Sequence, residues 1–240
     1  MRETLVVLDP LADLAQLEGV ASAVAAATDG VDAVLGDRGL RKVTEEQLSR
    51  ALLAGAQANA ALSDNPARWQ VGALRLSAEL APLAALINVA PAQALARAHT
   101  LVARGVVPDN ELGKIGSQQD TADPEMAVRM NSLVELLTRH TSAPAIVVGG
   151  VVHAEIAVLA PFGDASGLIA RAAEHLVLIA AGLDPYGVIV VEAGHAENGA
   201  SYSVALEAYA DGSVTGVKAW LLRCAAAVAR GAELSPMVAG

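Results

Sequence analysis

The residues of this chain equipped for chemistry are few: five histidines, one cysteine, and a short segment in which aspartate, serine and arginine follow one another near a helix start. His153, Glu155, His175 and His195 invite a metal reading, but none shows ligand spacing, and His153-Ala154-Glu155 sends its outer two side chains to different helix faces. A buried, hydrogen-bonded histidine is expected at His153. His195 stands in Glu192-Ala193-Gly194-His195-Ala196-Glu197-Asn198-Gly199, which reads as an exposed loop; it becomes a candidate base if that loop folds over residues 160–171. Cys224, among Leu221, Leu222 and Ala225, is expected to be an inert core thiol. As the only cysteine it permits no intrachain disulfide, and a zinc site built on thiolates is excluded.

The segment Ala160-Pro161-Phe162-Gly163-Asp164-Ala165-Ser166-Gly167-Leu168-Ile169-Ala170-Arg171 carries the chain's only phenylalanine and reads as a loop followed by a helix. Asp164 is placed to be the N-cap of that helix. Ser166 offers a hydroxyl and an N–H, and the helix start at Ser166-Gly167 directs partial positive charge into the loop. Arg171 either completes that anion site or pairs at the surface with Glu174 or another local carboxylate. The segment resembles, without a gap, the signature H-P-F-x-[DE]-G-N-G-R-x-x-R of the Fic/DOC (Fido) family. Pro161, Phe162, Asp164, Gly167 and Arg171 match, whereas Ala160 stands at the histidine, Ala165 and Ser166 at the first glycine and the asparagine, and Leu168 at the first arginine.

The flanks extend the resemblance to about residues 86–182. His153 lies seven residues before Ala160, where family members commonly carry a histidine, and Gly182-Leu183-Asp184-Pro185 is similar to a sequence shared by an actinobacterial subgroup of Fic-like proteins. The resemblance implies an all-α fold with the motif joining two central helices. It also implies a transferase chemistry in which the histidine deprotonates a target hydroxyl that attacks the α-phosphate of a nucleotide such as ATP. The acidic residue holds Mg²⁺, the glycines and helix start present N–H groups to phosphate, and the arginines neutralise charge.

Loss of a positioned base costs about 10²–10⁴-fold in rate, and alanine cannot replace it. Leu168 removes a fixed charge from a site that works by electrostatic preorganisation, and Ala165 places a Cβ where glycine lets phosphate approach. The resemblance therefore implies a degenerate member, inactive as a transferase and serving as a binding or regulatory module. Its nucleotide or anion site would comprise Asp164, Ala165, Ser166, Gly167 and Arg171, with Asp164 a weak Mg²⁺ ligand and ATP or another phosphate as the occupant. The alternative is an atypical nucleotidyl- or phosphotransferase using His195 or His153 as base, and a third possibility is an interaction scaffold that binds no ligand. The family's target-docking flap has only residues 114–122 to draw on, too short and polar for a hairpin, and Asn59-Ala60-Ala61-Leu62-Ser63-Asp64 is at best a remnant of its inhibitory motif.

A net charge of −10 with no basic run argues against nucleic acid. Residues 143–162 form the longest apolar stretch, but Pro144, His153 and Glu155 interrupt it, and a charge at bilayer depth costs about 2.5 kcal/mol or more. A buried helix and no membrane association are expected. Met1-Arg2-Glu3-Thr4 leads into no apolar region with a cleavage site, so a cytoplasmic protein is expected. A protein partner or a second copy of the chain is the expected associate.

These residues must be positioned by helices. Hydrophobic residues make up 54% of the chain and aromatics 2%, which favours close helix packing through alanine and leucine. One helical domain over 1–240 is expected, with flanking helices at 10–85 and 188–232. Helices are predicted over 13–35 with a break near Gly19 or Gly30, from a Thr44/Gln47 capping box to 61, over 71–86 with a kink at Pro82, and over 91–104. Further helices are predicted from an Asp123-Pro124 start to 141, over 143–159, from 164 or 165 to 181, over 201–209 and over 214–229, with a short strand at 188–191.

Overall fold

The computed structural model describes residues 9–36, 43–116, 124–197 and 199–238. Among them are twelve α-helices and no strand. Gly19, at φ 81°, separates α1 (Pro10–Ala15) from α2 (Val20–Leu35). The capping box forms as expected and opens α3 (Glu45–Ala61), the Thr44 N–H donating to Gln47 Oε1 at 3.0 Å and the Gln47 N–H to Thr44 Oγ1 at 3.1 Å.

The kink expected at Pro82 is replaced by a break at Glu79. An Asn65 cap followed by Pro66 starts α4 (Pro66–Ala78), and α5 (Leu80–Ile87) leaves it at 67°. Pro82 then falls in the first turn of α5, where the N–H it lacks has no intrahelical partner to lose. α6 (Pro91–Ala103) follows. The Asp123 cap and residues 117–122 of the flap candidate lie outside the described residues; α7 runs Pro124–Thr138.

α8 (Ala145–Leu159) is apolar all round and buried along most of its length, as a central core helix must be. It packs on α9 (Ser166–Ala180), and the two together form the axis of the fold. The strand expected at 188–191 is absent. Val188 and Ile189 donate their N–H groups to the Asp184 carboxylate at 3.0 and 2.9 Å, and Val190 donates to Gly231 O, so no neighbouring strand is paired. The run opens α10 (Val191–Ala196), in place of the expected loop. α11 (Gly199–Ala210) and α12 (Val214–Glu233) close the chain, with α12 packed against α2, α8, α10 and α11. Among the described residues no single helix is long and apolar enough to cross a membrane.

Candidate functional site

The loop between α8 and α9 is held from inside. Ala160 ends α8 in the left-handed region (φ 47°), the only non-glycine among the described residues to do so, and its N–H donates to Ile156 O. Phe162 is buried, its ring 5.0 Å from that of His99, and its N–H donates to Ser166 Oγ at 2.9 Å. That bond turns the Ser166 hydroxyl inward, and Ser166 and Ala165 are both buried rather than presented to solvent. Asp164 does not cap α9 through its side chain; its carboxylate pairs with Arg68 of α4 at 3.0 Å across the surface.

Beside the loop, the turn between α3 and α4, together with α4, α8, α9 and α11, lines an open pocket of about 300 Å³. Asp64, Arg68 and Trp69 line one side, Asp164, Gly167 and Arg171 the other, and Tyr202 closes it. Of the residues expected to bind an anion, Asp164, Gly167 and Arg171 reach this space, while Ala165 and Ser166 do not line it.

Arg171 is not the surface partner of Glu174. It is 2% exposed, and its guanidinium donates through Nε to Asn59 Oδ1 at 2.7 Å, through Nη2 to Asn59 O at 3.1 Å and through Nη1 to Tyr202 Oη at 3.3 Å. All three acceptors are neutral, and among the described residues no carboxylate lies within ion-pair distance of it. Asn59, at the head of the remnant motif, also donates Nδ2 to Leu168 O at 3.1 Å, so α3 is fastened to α9 through one side chain. Leu168, at the first arginine position, is itself buried.

Behind Tyr202 lies a second polar group, fully enclosed. His153 behaves as expected, buried and bonded through Nδ1 to Glu174 Oε2 at 2.5 Å and through Nε2 to Tyr202 Oη at 2.7 Å. His195 contradicts the expectation of a loop: it lies on α10, fully buried, with Nε2 2.7 Å from the same Glu174 oxygen. Gly194 makes this possible, because a Cβ there would stand 2.0 Å from Ala227 O of α12. Neither histidine lines the pocket; His153 meets its wall only through the Tyr202 hydroxyl.

Burial pushes His153 down to about 4 against the pull of Glu174, leaving a neutral imidazole at neutral pH. Burial alone would raise the Glu174 carboxyl, but the electrostatic pull of His195 and the hydrogen bonds of both histidines outweigh it and hold the group well below the usual carboxylate range. Burial, then the neighbouring Glu174, pushes the Cys224 thiol well up, which agrees with an inert core thiol.

The Gly182-Leu183-Asp184-Pro185 sequence has a structural role. Besides capping Val188 and Ile189, Asp184 receives His175 Nε2 at 3.1 Å, and the other ring nitrogen of His175 meets Glu192 Oε1 at 3.1 Å. Burial lowers the His175 pKa, but the two carboxylates prevail and carry it up to about 10. Glu155, by contrast, faces away and binds Arg129 and Tyr209.

Sequence reasoning missed Arg68, Trp69, Tyr202 and Glu174, which come from three helices. One signal was available for α9: Arg171, Glu174 and His175 occur at helical spacing inside an apolar helix, which marks polar groups that must be satisfied internally.

No family model matches the chain, and no curated protein matches it. Among solved structures it is similar to a Fic family protein from Desulfovibrio desulfuricans G20, with a TM-score of 0.65, 17% identity, and coverage of 88% of this chain and 74% of that one. The chain thus has a Fic-type all-α fold.

Proposed function

We propose that this is a Fic-fold protein inactive as a transferase, which binds a phosphate-bearing ligand such as a nucleotide in the pocket over Arg171. The observation that carries this is the buried guanidinium itself. Among the described residues three of its five N–H groups are engaged, all by neutral oxygens, at the edge of an open pocket. A buried cation without an anion is costly, and a ligand phosphate supplies the missing charge and acceptors. The start of α9 at Gly167, which lines the pocket, adds attraction.

Asp164 and Asp64 at the pocket mouth suit a hydrated Mg²⁺ carried by a polyphosphate, which would neutralise charge on that ligand. Affinity in the millimolar range is expected, about −4 kcal/mol, because Leu168 replaces the second cation. Alanine at 160 leaves no base in the loop, so a bound nucleotide is held without transfer.

The contact between Tyr202 Oη and His153 Nε2 supports a second reading, in which Tyr202 passes a proton from the pocket to His153 and slow transfer survives. Incubation with radiolabelled ATP and Mg²⁺ separates the two. No label on any protein, together with millimolar protection of the fold by phosphate, supports the binding module; label that disappears in His153→Gln supports the transferase.

A further inference from the structure

The centre of the molecule holds a group that the pocket does not use. His153 on α8, Glu174 on α9 and His195 on α10 are each fully buried, and each offers a ligand atom within 4.8 Å of the others. Glu174 Oε2 is shared by His153 Nδ1 and His195 Nε2, while Glu174 Oε1 and His195 Nδ1 have no hydrogen-bond partner among the described residues. Buried polar atoms without partners are rare in native proteins, and Glu174 Oε1 is placed to serve as the second oxygen of a cation-binding carboxylate.

We propose that His153, Glu174 and His195 form a closed structural site for a zinc-class transition cation at the junction of α8, α9 and α10. Two imidazoles and one carboxylate are the donor set that Zn²⁺ takes in proteins, with ligand bonds of about 2.0–2.2 Å that place donor atoms about 3.3 Å apart. Glu174 Oε2 stands 2.5 and 2.7 Å from the two imidazole nitrogens, so the cation enters by replacing the protons between them and spreading the donors by about 0.6–0.8 Å.

The surroundings fit the same purpose. Tyr202 Oη at 2.7 Å fixes the outer nitrogen of His153, the outer-shell bond that orients a metal-bound imidazole. Trp220 closes the site with its ring edge-on, 4.9 Å from that of His153, and Cys224 lies against Glu174 in the same enclosed space. The Glu174 carboxylate supplies anionic charge to the cation inside the enclosure. This is the condition a fully buried metal must meet, and the donors select zinc over Mg²⁺ or Ca²⁺, which require oxygen shells. The three main ligands sit on three helices, so metal binding and folding are coupled.

The test uses the full chain, stripped with a chelator and titrated with Zn²⁺ against a competing chromophoric chelator. One equivalent should bind with sub-micromolar affinity and raise the melting temperature by several degrees, while Mg²⁺ does neither. His195→Gln and Glu174→Gln should lower the affinity at least 100-fold, whereas His140→Ala, at an exposed histidine, should leave it unchanged. Should the variants fail to fold, zinc-edge X-ray absorption of the wild type decides: imidazole with carboxylate or sulfur coordination supports the site, and an oxygen-only shell overturns it. A folded wild type that takes up less than a tenth of an equivalent also overturns it, as does zinc binding unchanged in a folded His195→Gln variant.

Discussion

Asn59 Oδ1 accepts the Nε–H of Arg171 at 2.7 Å across 112 positions of sequence, and the Asn59 backbone oxygen takes a second donor of the same guanidinium. The arginine is thus oriented by a neutral residue and keeps its full charge beside the pocket. An acidic residue at position 59 would also have accepted from the guanidinium but cancelled its charge and lost the Nδ2 bond to Leu168 O, so the neutrality of Asn59 separates an anion site from a structural ion pair.

Phe162 anchors the loop, and its truncation should be costly. Phe162→Ala removes a buried ring packed on His99, and a cavity of that kind costs about 3–5 kcal/mol. Denaturant unfolding should show a loss in this range, whereas a loss under 1 kcal/mol would mean that the loop is not fastened through this ring.

Ala160 holds a left-handed conformation that costs a non-glycine residue about 1–2 kcal/mol. Ala160→Gly relieves that strain and gives back about 0.4–1 kcal/mol through the freer unfolded chain. A net gain of about 0.5–1 kcal/mol in unfolding free energy is expected, with pocket binding unchanged.

Much of this was legible in the sequence, for reasons that differ by element. The Thr44 capping box, the glycine break at position 19 and the Phe162 loop are local features, each set by residues within four positions. The all-α class followed from composition and helical periodicity. The pocket was only half legible, because Asp164, Gly167 and Arg171 lie in one segment whereas Arg68, Trp69 and Tyr202 join them through tertiary packing. His195 was misplaced for the same reason. Its glycine and acidic neighbours suggest a loop, yet Gly194 serves the approach of α10 to α12, and Glu192 is consumed by His175.

Asp184 gathers two backbone N–H groups and His175 in a buried position. Asp184→Ala strands all three, and removing one partner of a buried pair costs about 3–5 kcal/mol. Asp184→Asn keeps acceptor capacity and should cost clearly less. Equal losses from the two variants by chemical denaturation would show that a neutral acceptor recovers nothing and that the carboxylate charge carries the whole contribution.

Asp9 gives the fold an acid dependence. The Ser142 N–H, then the Thr141 hydroxyl, hold its pKa down to about 2 from an ordinary 3.8. Because the folded-state value is the lower one, the stabilisation is complete above the ordinary value and is lost as pH falls through about 2. Asp9→Asn should therefore flatten the acid limb of the stability profile between those two values and leave the neutral region with the same slope.

The most direct measurement is calorimetric titration with ATP and Mg²⁺ of the wild type and of Asn59→Asp. The substitution keeps an acceptor for Arg171 and neutralises its charge but gives up the Nδ2 donor to Leu168 O, so the variant should remain folded with a loss of about 1–3 kcal/mol. Millimolar binding by the wild type that is lost in the folded variant is the expected result. Absence of binding by the wild type at millimolar ligand, or equal binding by both proteins, would contradict an anion site over Arg171.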